Sequence, residues 1–439
     1  MKLSVLICAV AFILSSGTTQ HRNPGETEIT RWQYGKKGAV SVTYDDGSIN
    51  QFKIAVPIMN RLKIPATFFI ITGQIPGSQY EGRFIGRPVE AIIKETATIP
   101  TNKSNFFERS SAAGYLGLKG TLEYHTRAGA QIDAGKPEEA YKIMDELYKK
   151  VRNNEFPSAK RTNNKENKAP HVTWDEIRTY VAQGHEFASH TVTHPYLCAL
   201  DEVNILYELE KSREDILNQL GQKYTFSAEV PYGSEDNRAL EYASRVYPSL
   251  RNRMPDIFVD DLIRSDKKNP GSSDKEYVKW QRGAVTSTTL PVMKSWIDTT
   301  AVKNNIWLVL VIHGVEGIGW EALPGELLDE YFHYLKSKDN DLWIATFGDV
   351  TKYIRERMNA TFKSTANGGK IIVKLNHSLD KTLYELPLTL KTYVSSECKE
   401  VQVKQGTETK TILTRQDAGG RYVLYQAFPN AGDIELNGI

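Results

Sequence analysis

The sequence predicts an α/β protein, a parallel (β/α) barrel followed by a small all-β domain. From Gly38 to Arg357, apolar runs of strand length alternate with amphipathic helical segments, which is typical of a parallel sheet covered by helices. Beyond Asn359, short β runs are separated by Asn, Gly and charged turns, which is typical of a small sandwich. We therefore expect a barrel over residues 21–360 and a β-rich, sandwich-like domain over residues 361–439.

The first half of the barrel contains one strand–helix–strand unit. Gly38–Tyr44 is rich in β-branched residues and free of charge, Asn50–Leu62 has apolar residues on one helical face, and Pro65–Gly73 is a second buried strand. The alternation then breaks over residues 74–170, where Gly, Pro, Ser and Asn are frequent and one convincing helix is present, Pro137–Val151. We interpret residues 74–170 as an insertion over the active face.

Regular structure resumes at Thr173, which with Glu176 forms a capping box before a helix that ends near Gly184. Repeated strand–helix units follow, and chemistry in such a barrel lies at the carboxyl ends of its strands. The strands are predicted at His185–Ser189, Phe226–Pro231, Trp307–Gly314 and Trp343–Phe347, and the helices at Val203–Leu220, Ala239–Tyr247, Val292–Lys303, Leu327–Lys336 and Asp349–Arg357. The C-terminal β runs are predicted at Lys370–Leu375, Leu386–Val394, Val401–Lys404, Thr411–Thr414 and Arg421–Ala427.

Composition indicates a globular protein, and the first residues of the chain indicate export. The net charge of +2 gives no reason to expect nucleic acid or an anionic membrane as a partner. Residues 1–20 resemble a signal peptide, with Lys2 before a short apolar run and small residues for cleavage, so we expect a periplasmic or extracellular location and no stable membrane insertion after cleavage. Cys198 and Cys398 lie far apart, so neither a disulfide framework nor a cysteine-ligated metal is indicated.

Two carboxylates stand at the end of the first strand, where Asp45 and Asp46 precede Gly47. Neighbours in a strand point to opposite faces, so the two side chains are expected to take different roles, one toward a metal and one toward its water. Alone, such a pair is more often a solvated turn. A second cluster downstream, His190 and His194, completes a possible facial His–His–Asp metal site.

Alternative interpretations of these histidines remain open, because core or loop histidines are common. A helical His–Glu zinc-protease motif is excluded, since the histidine after His185 and Glu186 is five positions from the first rather than four. His125, inside the insertion, could contact substrate, although a solvated loop residue is the simpler interpretation.

Four segments together resemble the motifs of the polysaccharide deacetylases, carbohydrate esterase family 4 with its NodB-homology domain. They occur in the family's order and cover roughly Gly38 to Arg357 apart from the insertion. The segments are Thr43-Tyr44-Asp45-Asp46-Gly47, Ser189-His190-Thr191-Val192-Thr193-His194, Pro231-Tyr232-Gly233 and Val311-Ile312-His313-Gly314.

The resemblance implies a distorted barrel and a divalent metal, usually zinc, bound by Asp46, His190 and His194. It also implies that Asp45 is the general base, which takes a proton from the attacking water. By the same resemblance, the backbone N–H of Tyr232 helps to hold the oxyanion and His313 is the general acid.

The chain departs from the family in two places. The family often has an arginine two positions before the motif proline, Pro231, where it orients the base; this chain has Glu229, and Arg282 is a candidate substitute. The tryptophan-bearing motif before the final histidine is not recognisable. Trp320 could wall the acetyl pocket or simply be a packed loop aromatic.

The resulting expectation is an exported, metal-dependent hydrolase that removes acetyl groups from a polysaccharide or oligosaccharide, with N-deacetylation favoured. An O-acetyl esterase, such as one acting on acetylated xylan, is the alternative with the same machinery. A non-catalytic carbohydrate-binding protein on the same barrel is an alternative of another class, favoured only by Glu229. A glycosidase fits less well, because adjacent carboxylates beside histidines suit a metal better than a pair flanking a sugar bond.

Overall fold

A computed structural model describes residues 21–157, 171–234, 236–251 and 281–438. The predicted signal peptide, residues 1–20, and the end of the predicted insertion, residues 158–170, lie outside the described residues. The chain forms two compact units. The larger contains Thr30–Thr361 and Asn376–Leu388, and the smaller contains the described residues up to Ile29 together with Phe362–Leu375 and Thr389–Ile439.

The larger unit is organised on a parallel sheet of eight strands. Strand β1 (Thr27–Ile29) belongs to the smaller unit, and the strands of the parallel sheet are β2 (Gly38–Tyr44), β3 (Ala66–Ile70), β4 (Glu186–Ser189), β5 (Ser227–Ala228), β6 (Ser249–Leu250), β7 (Gln281–Gly283), β8 (Trp307–Ile312) and β9 (Leu342–Ile344). Their order is β6-β5-β4-β3-β2-β8-β7, with β9 paired to β2. Within the described ranges β6 and β7 end the sheet, so the predicted α/β barrel is confirmed in its distorted, open form.

Strand β2 lies at the centre of this sheet. All of its residues are buried, and it pairs with β8 along one edge and with β9 and then β3 along the other. A strand with partners on both edges and helices over the sheet has no solvent-facing side, which explains why its sequence contains no charge before Asp45.

Helices surround the sheet, and most lie within a few residues of their predicted positions. They are α1 (Val56–Leu62), α2 (Val89–Glu95), α3 (Phe106–Ala113), α4 (Thr121–Asp133), α5 (Pro137–Arg152), α6 (Trp174–Ala182), α7 (Glu202–Leu220), α8 (Asn237–Val246), α9 (Leu290–Trp296), α10 (Gly325–Ser337) and α11 (Phe347–Asn359). A π-helical turn, Gln51–Ala55, precedes α1, and another, Ile297–Lys303, extends α9. The predicted capping box at Thr173 and Glu176 is present at the start of α6.

The insertion is more helical than its sequence suggests, because α2 to α4 accompany the predicted helix α5. These helices share a small core of their own, which includes Ile92, Phe106, Met144 and Tyr148. Two of the three unpredicted helices, α2 and α3, have only seven and eight residues, and Gly-, Pro- and Asn-containing turns join the three, so a sequence window shows little helical periodicity. Packing against α5 stabilises them, as it does most short helices.

The smaller unit is all-β and contains two sheets. Its remaining strands are β10 (Thr361–Asn367), β11 (Lys370–Asn376), β12 (Leu388–Tyr393), β13 (Glu400–Gln405), β14 (Glu408–Leu413), β15 (Arg415–Asp417), β16 (Gly420–Ala427) and β17 (Ile434–Gly438). One sheet has the order β1-β12-β16-β15 and the other β10-β11-β17-β13-β14. Antiparallel pairs such as β13 with β14 and contacts of β16 with β13 and β14 give it a sandwich-like arrangement.

Two further features bear on the sequence interpretation. Cys198 and Cys398 are buried free cysteines. Within the described ranges, no helix combines the length and the apolar character that a membrane crossing needs.

Candidate active site

Five polar residues meet where the parallel strands end. Asp45 follows β2, His190 follows β4, Glu229 follows β5, Arg251 follows β6 and His313 follows β8. Backbone hydrogen bonds extend the strand pairing to them: the N–H of Asp45 donates to Ile312 O at 3.0 Å and the N–H of Arg251 donates to Ala228 O at 3.1 Å. The carboxyl end of the sheet therefore brings distant parts of the sequence to one place, as expected for such a fold.

Asp46, His190 and His194 form a compact group of possible metal ligands. One donor atom from each residue lies within 4.8 Å of the others. Asp46 Oδ1 is 3.6 Å from His190 Nε2 and 3.4 Å from His194 Nε2. The sheet and the following loop thus bring together the three residues predicted from sequence as metal ligands.

The protonation of this group suits a cation. Burial lowers the pKa of His190 to about 3, and burial also lowers the pKa of His194, so both imidazoles are neutral near pH 7. His190 Nδ1 lies 3.0 Å from Glu229 O, and donation of its hydrogen to that carbonyl leaves the Nε2 lone pair free for a metal. Burial and the Asp45 carboxylate raise the pKa of Asp46 to about 6, a clustering of negative charge that a cation would relieve.

Asp45 is held by a buried arginine. Arg251 Nη2 lies 2.5 Å from Asp45 Oδ2, and Arg251 Nε lies 3.1 Å from Glu229 Oε2. Burial raises the pKa of Asp45, but the charge and hydrogen bond of Arg251, together with the neighbouring His190 and His313, hold that pKa below the ordinary value. Asp45 Oδ1 has no hydrogen-bond partner within the described ranges, so one oxygen of the carboxylate is left to accept a proton.

Sequence reasoning missed Arg251. The guanidinium donates to Asp45, Glu229 and the Thr43 hydroxyl and lies over the Phe69 ring, 4.7 Å from its centroid. Arg282, the residue suggested for this position, lies on β7, and the hydrogen bond described for its Nη1 is to the carbonyl of Gln281. The contact with Asp45 therefore belongs to Arg251, and the acidic Glu229 serves as its second partner.

His313 and Trp320 border the same carboxylate from the other side. His313 Nε2 lies 3.4 Å from Asp45 Oδ2, and the Trp320 ring meets the His313 ring edge-to-face with centroids 4.7 Å apart. Gln51, also missed from sequence, donates from Nε2 to the backbone carbonyls of Asp45 and His313 at 2.5 and 2.7 Å. This amide ties the two strand ends together below the candidate base and acid.

The backbone is strained around the site. Asp46, Thr191, His194 and Tyr232 have φ angles of 71°, 67°, 62° and 64°, the left-handed region that non-glycine residues seldom adopt. Strain of this kind persists only where surrounding contacts enforce it, and it concentrates at functional sites. It explains why neither a regular strand nor a regular helix describes the segment from His190 to His194.

Glu208 on α7 makes many of the contacts that hold the strained loop between His190 and His194 in place. Its Oε2 accepts hydrogen bonds from the backbone N–H groups of Val192 and Thr193 at 2.9 and 2.8 Å, and its Oε1 accepts from the Thr193 hydroxyl at 2.7 Å. The carboxylate is buried and fully used by the loop between the two histidines. Glu208 is thus a positioning residue that no motif in the sequence indicated.

Tyr232 lies at the turn that begins with the buried Pro231. Its ring stacks on Tyr196 with centroids 3.7 Å apart and planes 2° apart, and meets His194 edge-to-face at 4.7 Å. Tyr232 is 46% exposed. The aromatic pair therefore connects the candidate oxyanion turn with the loop that carries His194, a candidate metal ligand.

Helix α4 of the insertion supports both of these loops. The Thr126 hydroxyl hydrogen-bonds to Tyr232, and Ser234 Oγ donates to Asp133 Oδ1 at 2.7 Å. His125 is a buried helical residue rather than a solvated loop residue; its Nε2 accepts from the N–H of Tyr196 at 3.2 Å. Burial lowers the pKa of His125 to about 4, so the ring is neutral and suited to accept this bond.

We expect a side chain at Gly129 to disturb the site through Tyr196. A methyl group at Gly129 would lie 2.4 Å from Cβ and Cγ of Tyr196, so Gly129→Ala must displace the ring on which Tyr232 stacks. The expected result is a loss of about ten-fold in turnover together with a cost of about 1–3 kcal/mol in stability. Steady-state kinetics and thermal unfolding measure both, and Ala130→Ser on the same helix is the matched control. Unchanged turnover in a destabilised Gly129→Ala variant would show that α4 does not position the site.

An open cavity of about 660 Å³ joins these residues. The three candidate metal ligands line it, and β7 contributes Gln281 and Gly283. Its other lining residues include Arg251, His313, Trp320 and Tyr232. This volume exceeds what an acetyl group needs and suits a larger organic substrate.

Several known proteins resemble this chain in sequence or in structure. A gellan lyase from a Bacillus species is 26% identical over 275 residues, which is 59% of this chain and 11% of that protein. The family 4 carbohydrate esterase from Streptomyces lividans, solved with acetate, is 11% identical to this chain. The structural match covers 70% of this chain and 91% of the esterase chain, with a TM-score of 0.34. Peptidoglycan deacetylase PdaC from Bacillus subtilis is 10% identical and covers 71% and 89%, with a TM-score of 0.34.

The family model that matches is described as polysaccharide deacetylase. It matches residues 33–97 and 131–247 and omits the part of the insertion between them. The matched residues include Asp45, Asp46, His190, His194 and Tyr232, whereas His313 lies beyond them. These two matched segments, which carry most of the site, therefore belong to the polysaccharide deacetylase family, and that family implies a hydrolase.

Proposed function

We propose that this protein is a metal-dependent deacetylase that hydrolyses acetyl groups on a carbohydrate, with N-acetyl groups favoured. The observation that carries the proposal is the juxtaposition of the Asp46–His190–His194 group with the arginine-held Asp45 and with His313. The family supports the substrate class, and the geometry supports the roles proposed for the residues of the site.

Asp46, His190 and His194 would hold a divalent metal, and a carboxylate with two imidazoles suits zinc. When bound, the metal would activate a water molecule and polarise the acetyl carbonyl. Asp45 accepts a proton from the attacking water through its free oxygen Oδ1. The Tyr232 backbone N–H stabilises the negative charge that develops on the carbonyl oxygen.

His313 completes the reaction by protonating the departing amine or alkoxide. Its Nε2 is 3.4 Å from Asp45 Oδ2, and both residues follow neighbouring strands and line one cavity, which supports their assignment as acid and base. Trp320, 59% exposed beside His313, would wall the acetyl pocket. The proposed export of the protein rests on residues 1–20, and access to an extracellular polymer would follow from it.

Two alternatives keep the same residues. An O-acetyl esterase would use identical groups, because water attack on an ester differs only in the leaving group. A non-catalytic carbohydrate-binding protein was favoured by Glu229 alone, and the contact of Arg251 with Asp45 removes that argument, since the candidate base does have an arginine partner.

The experiment that tests the proposal is acetate release by the mature protein with added zinc. The substrates are N-acetylglucosamine oligomers and peptidoglycan on one side and acetylated xylan on the other. We expect release from the N-acetylated group. Release from acetylated xylan alone would establish the esterase instead, and no release from any of them by a zinc-loaded protein would favour the binding protein.

A further inference from the structure

Two neighbouring amide side chains, Asn50 and Gln51, join the backbone that follows β2 to the backbone that follows β8. Gln51 Nε2 donates to the carbonyl oxygens of Asp45 and His313 at 2.5 and 2.7 Å. Asn50 Nδ2 donates to the carbonyl oxygens two and three positions after His313, at 3.1 and 3.3 Å. We call Asn50 and Gln51 the amide pair; its hydrogen bonds tie the residue after one strand to the loop after the other.

Gln51 is buried at the start of the π-helical turn Gln51–Ala55. Turns of this kind occur frequently at functional sites. Its Oε1 is also buried and has no hydrogen-bond partner among the described residues. An unpaired buried acceptor is costly, and a methionine would fill the same space without that cost. What the glutamine adds is therefore the pair of hydrogen bonds that it donates.

The imidazole of His313 depends on its backbone for its position. Its Nε2 faces Asp45, whereas its Nδ1 is buried and has no hydrogen-bond partner within the described ranges. Asp45, by contrast, is held through its side chain by Arg251. The loop after His313 folds back on itself, since the N–H of Gly314 donates to Trp320 O at 2.7 Å, and the Trp320 ring packs on His313. Loss of the amide pair should therefore displace His313 more than Asp45.

We propose that the amide pair positions His313 as the general acid and thereby determines how well the protein cleaves bonds with poor leaving groups, such as N-acetyl amides. The inference rests on the proposed function. As the C–N bond breaks, its electron pair stays on the nitrogen, which takes a proton from His313, while the acetyl group leaves as acetate. The leaving group of 4-nitrophenyl acetate departs as a stable phenolate and needs no such proton. A displaced His313 therefore slows amide hydrolysis and spares the activated ester.

The test compares the two kinds of leaving group in one variant. We measure kcat/KM of the zinc-loaded protein for the N-acetylglucosamine trimer and for 4-nitrophenyl acetate. Gln51→Met keeps the size of the side chain and removes its donor. We expect the ratio of kcat/KM for the trimer to that for the ester to fall about ten-fold. Equal losses on both substrates would overturn the inference, because a general loss of folded or metal-loaded protein lowers both alike.

Gln33→Met is the matched control. Gln33 is also buried, 5% exposed, and its Nε2 donates to a backbone carbonyl, that of Pro387, at 3.1 Å. Neither residue lines the active-site cavity. The same substitution there removes an equivalent buried hydrogen bond, and we expect the ratio to stay unchanged. A ratio that falls as far as in Gln51→Met would show that it reports stability, and would overturn the inference.

A double variant shows whether the amide pair acts through His313. In a His313→Gln background, Gln51→Met should cost little further turnover of the trimer, because the acid is already missing. A full additional loss would mean that Gln51 acts through another group, such as Asp45, and would overturn the inference.

Asn50→Ala keeps the inference falsifiable if Gln51→Met folds poorly, because Asn50 is only partly buried. We expect the same ratio to fall about three-fold in this variant. A ratio that moves in neither variant would overturn the positioning role while acetate release by the wild type upholds the proposed function. Absence of acetate release from every substrate would instead overturn the proposed function, and the positioning role with it.

Discussion

Replacing Asp45 by Asn is expected to reduce acetate release about 10³-fold while the protein keeps its metal. The amide cannot accept a proton, yet it has the size of the carboxylate and can still contact Arg251. Because Asp45 is outside the Asp46–His190–His194 group, metal content should not change. Turnover with the best substrate and elemental analysis of the purified protein measure the two quantities.

Asp46→Asn is the matched control one position along the chain. It removes the charge from a proposed ligand, so both metal content and turnover should fall. If Asp45→Asn also loses its metal, the assignment of Asp45 as base and Asp46 as metal ligand is wrong. If Asp45→Asn retains full turnover, Asp45 is not the base.

Replacing Arg251 by Met is expected to lower turnover about 10²-fold. The change leaves Asp45 and Glu229 buried beside each other without their shared cation, and burial together with the Asp45 charge already holds the pKa of Glu229 at about 7. Loss of the guanidinium should raise the pKa of Asp45, so activity should require a higher pH than in the wild type. The pH dependence of kcat/KM measures this displacement.

A double variant separates positioning from general stability. If Arg251 acts through Asp45, adding Arg251→Met to Asp45→Asn should cost little further activity, because the function that the arginine supports is already gone. Additive losses in the double variant would contradict the positioning role. Glu229→Gln, which keeps an oxygen for Arg251 Nε, should lose much less turnover than Arg251→Met.

Much of the site could be predicted from sequence because its residues follow recognisable strands. The uncharged run of β2 ends at Asp45 and Asp46, the most apolar strand, β8, ends at His313, and the histidine pair follows β4. In a parallel sheet the carboxyl ends meet at one edge, so strand order along the chain was enough to bring these residues together.

The parts that escaped prediction depend on tertiary contacts. Arg251 follows β6, a strand of two residues whose sequence shows no periodicity, and the signal that could have found it is an arginine at the end of the β run after helix α8. Gln51 and Glu208 act on backbone groups, which no motif encodes. Strand β1 pairs with β12, which is far from it in the sequence. Its three residues are too few to show the alternation by which a strand is predicted.

The insertion was located by its composition, but its role could not be read from it. Its helices α2 to α4 are stabilised by packing on α5, and their effect on the site runs through contacts such as Ser234 with Asp133. A sequence rich in turn residues therefore concealed a layer of packed helices. Composition alone therefore distinguishes an insertion from the barrel but does not distinguish a loop from a helical layer.

We expect hydrolysis to require a metal held by Asp46, His190 and His194. The most direct measurement is acetate release by the wild-type protein before chelation, after removal of the metal, and after titration with zinc, with bound zinc counted at each step. We predict that activity disappears with the metal and returns in proportion to zinc bound, up to one ion per chain. Full activity in the metal-free protein would contradict the account.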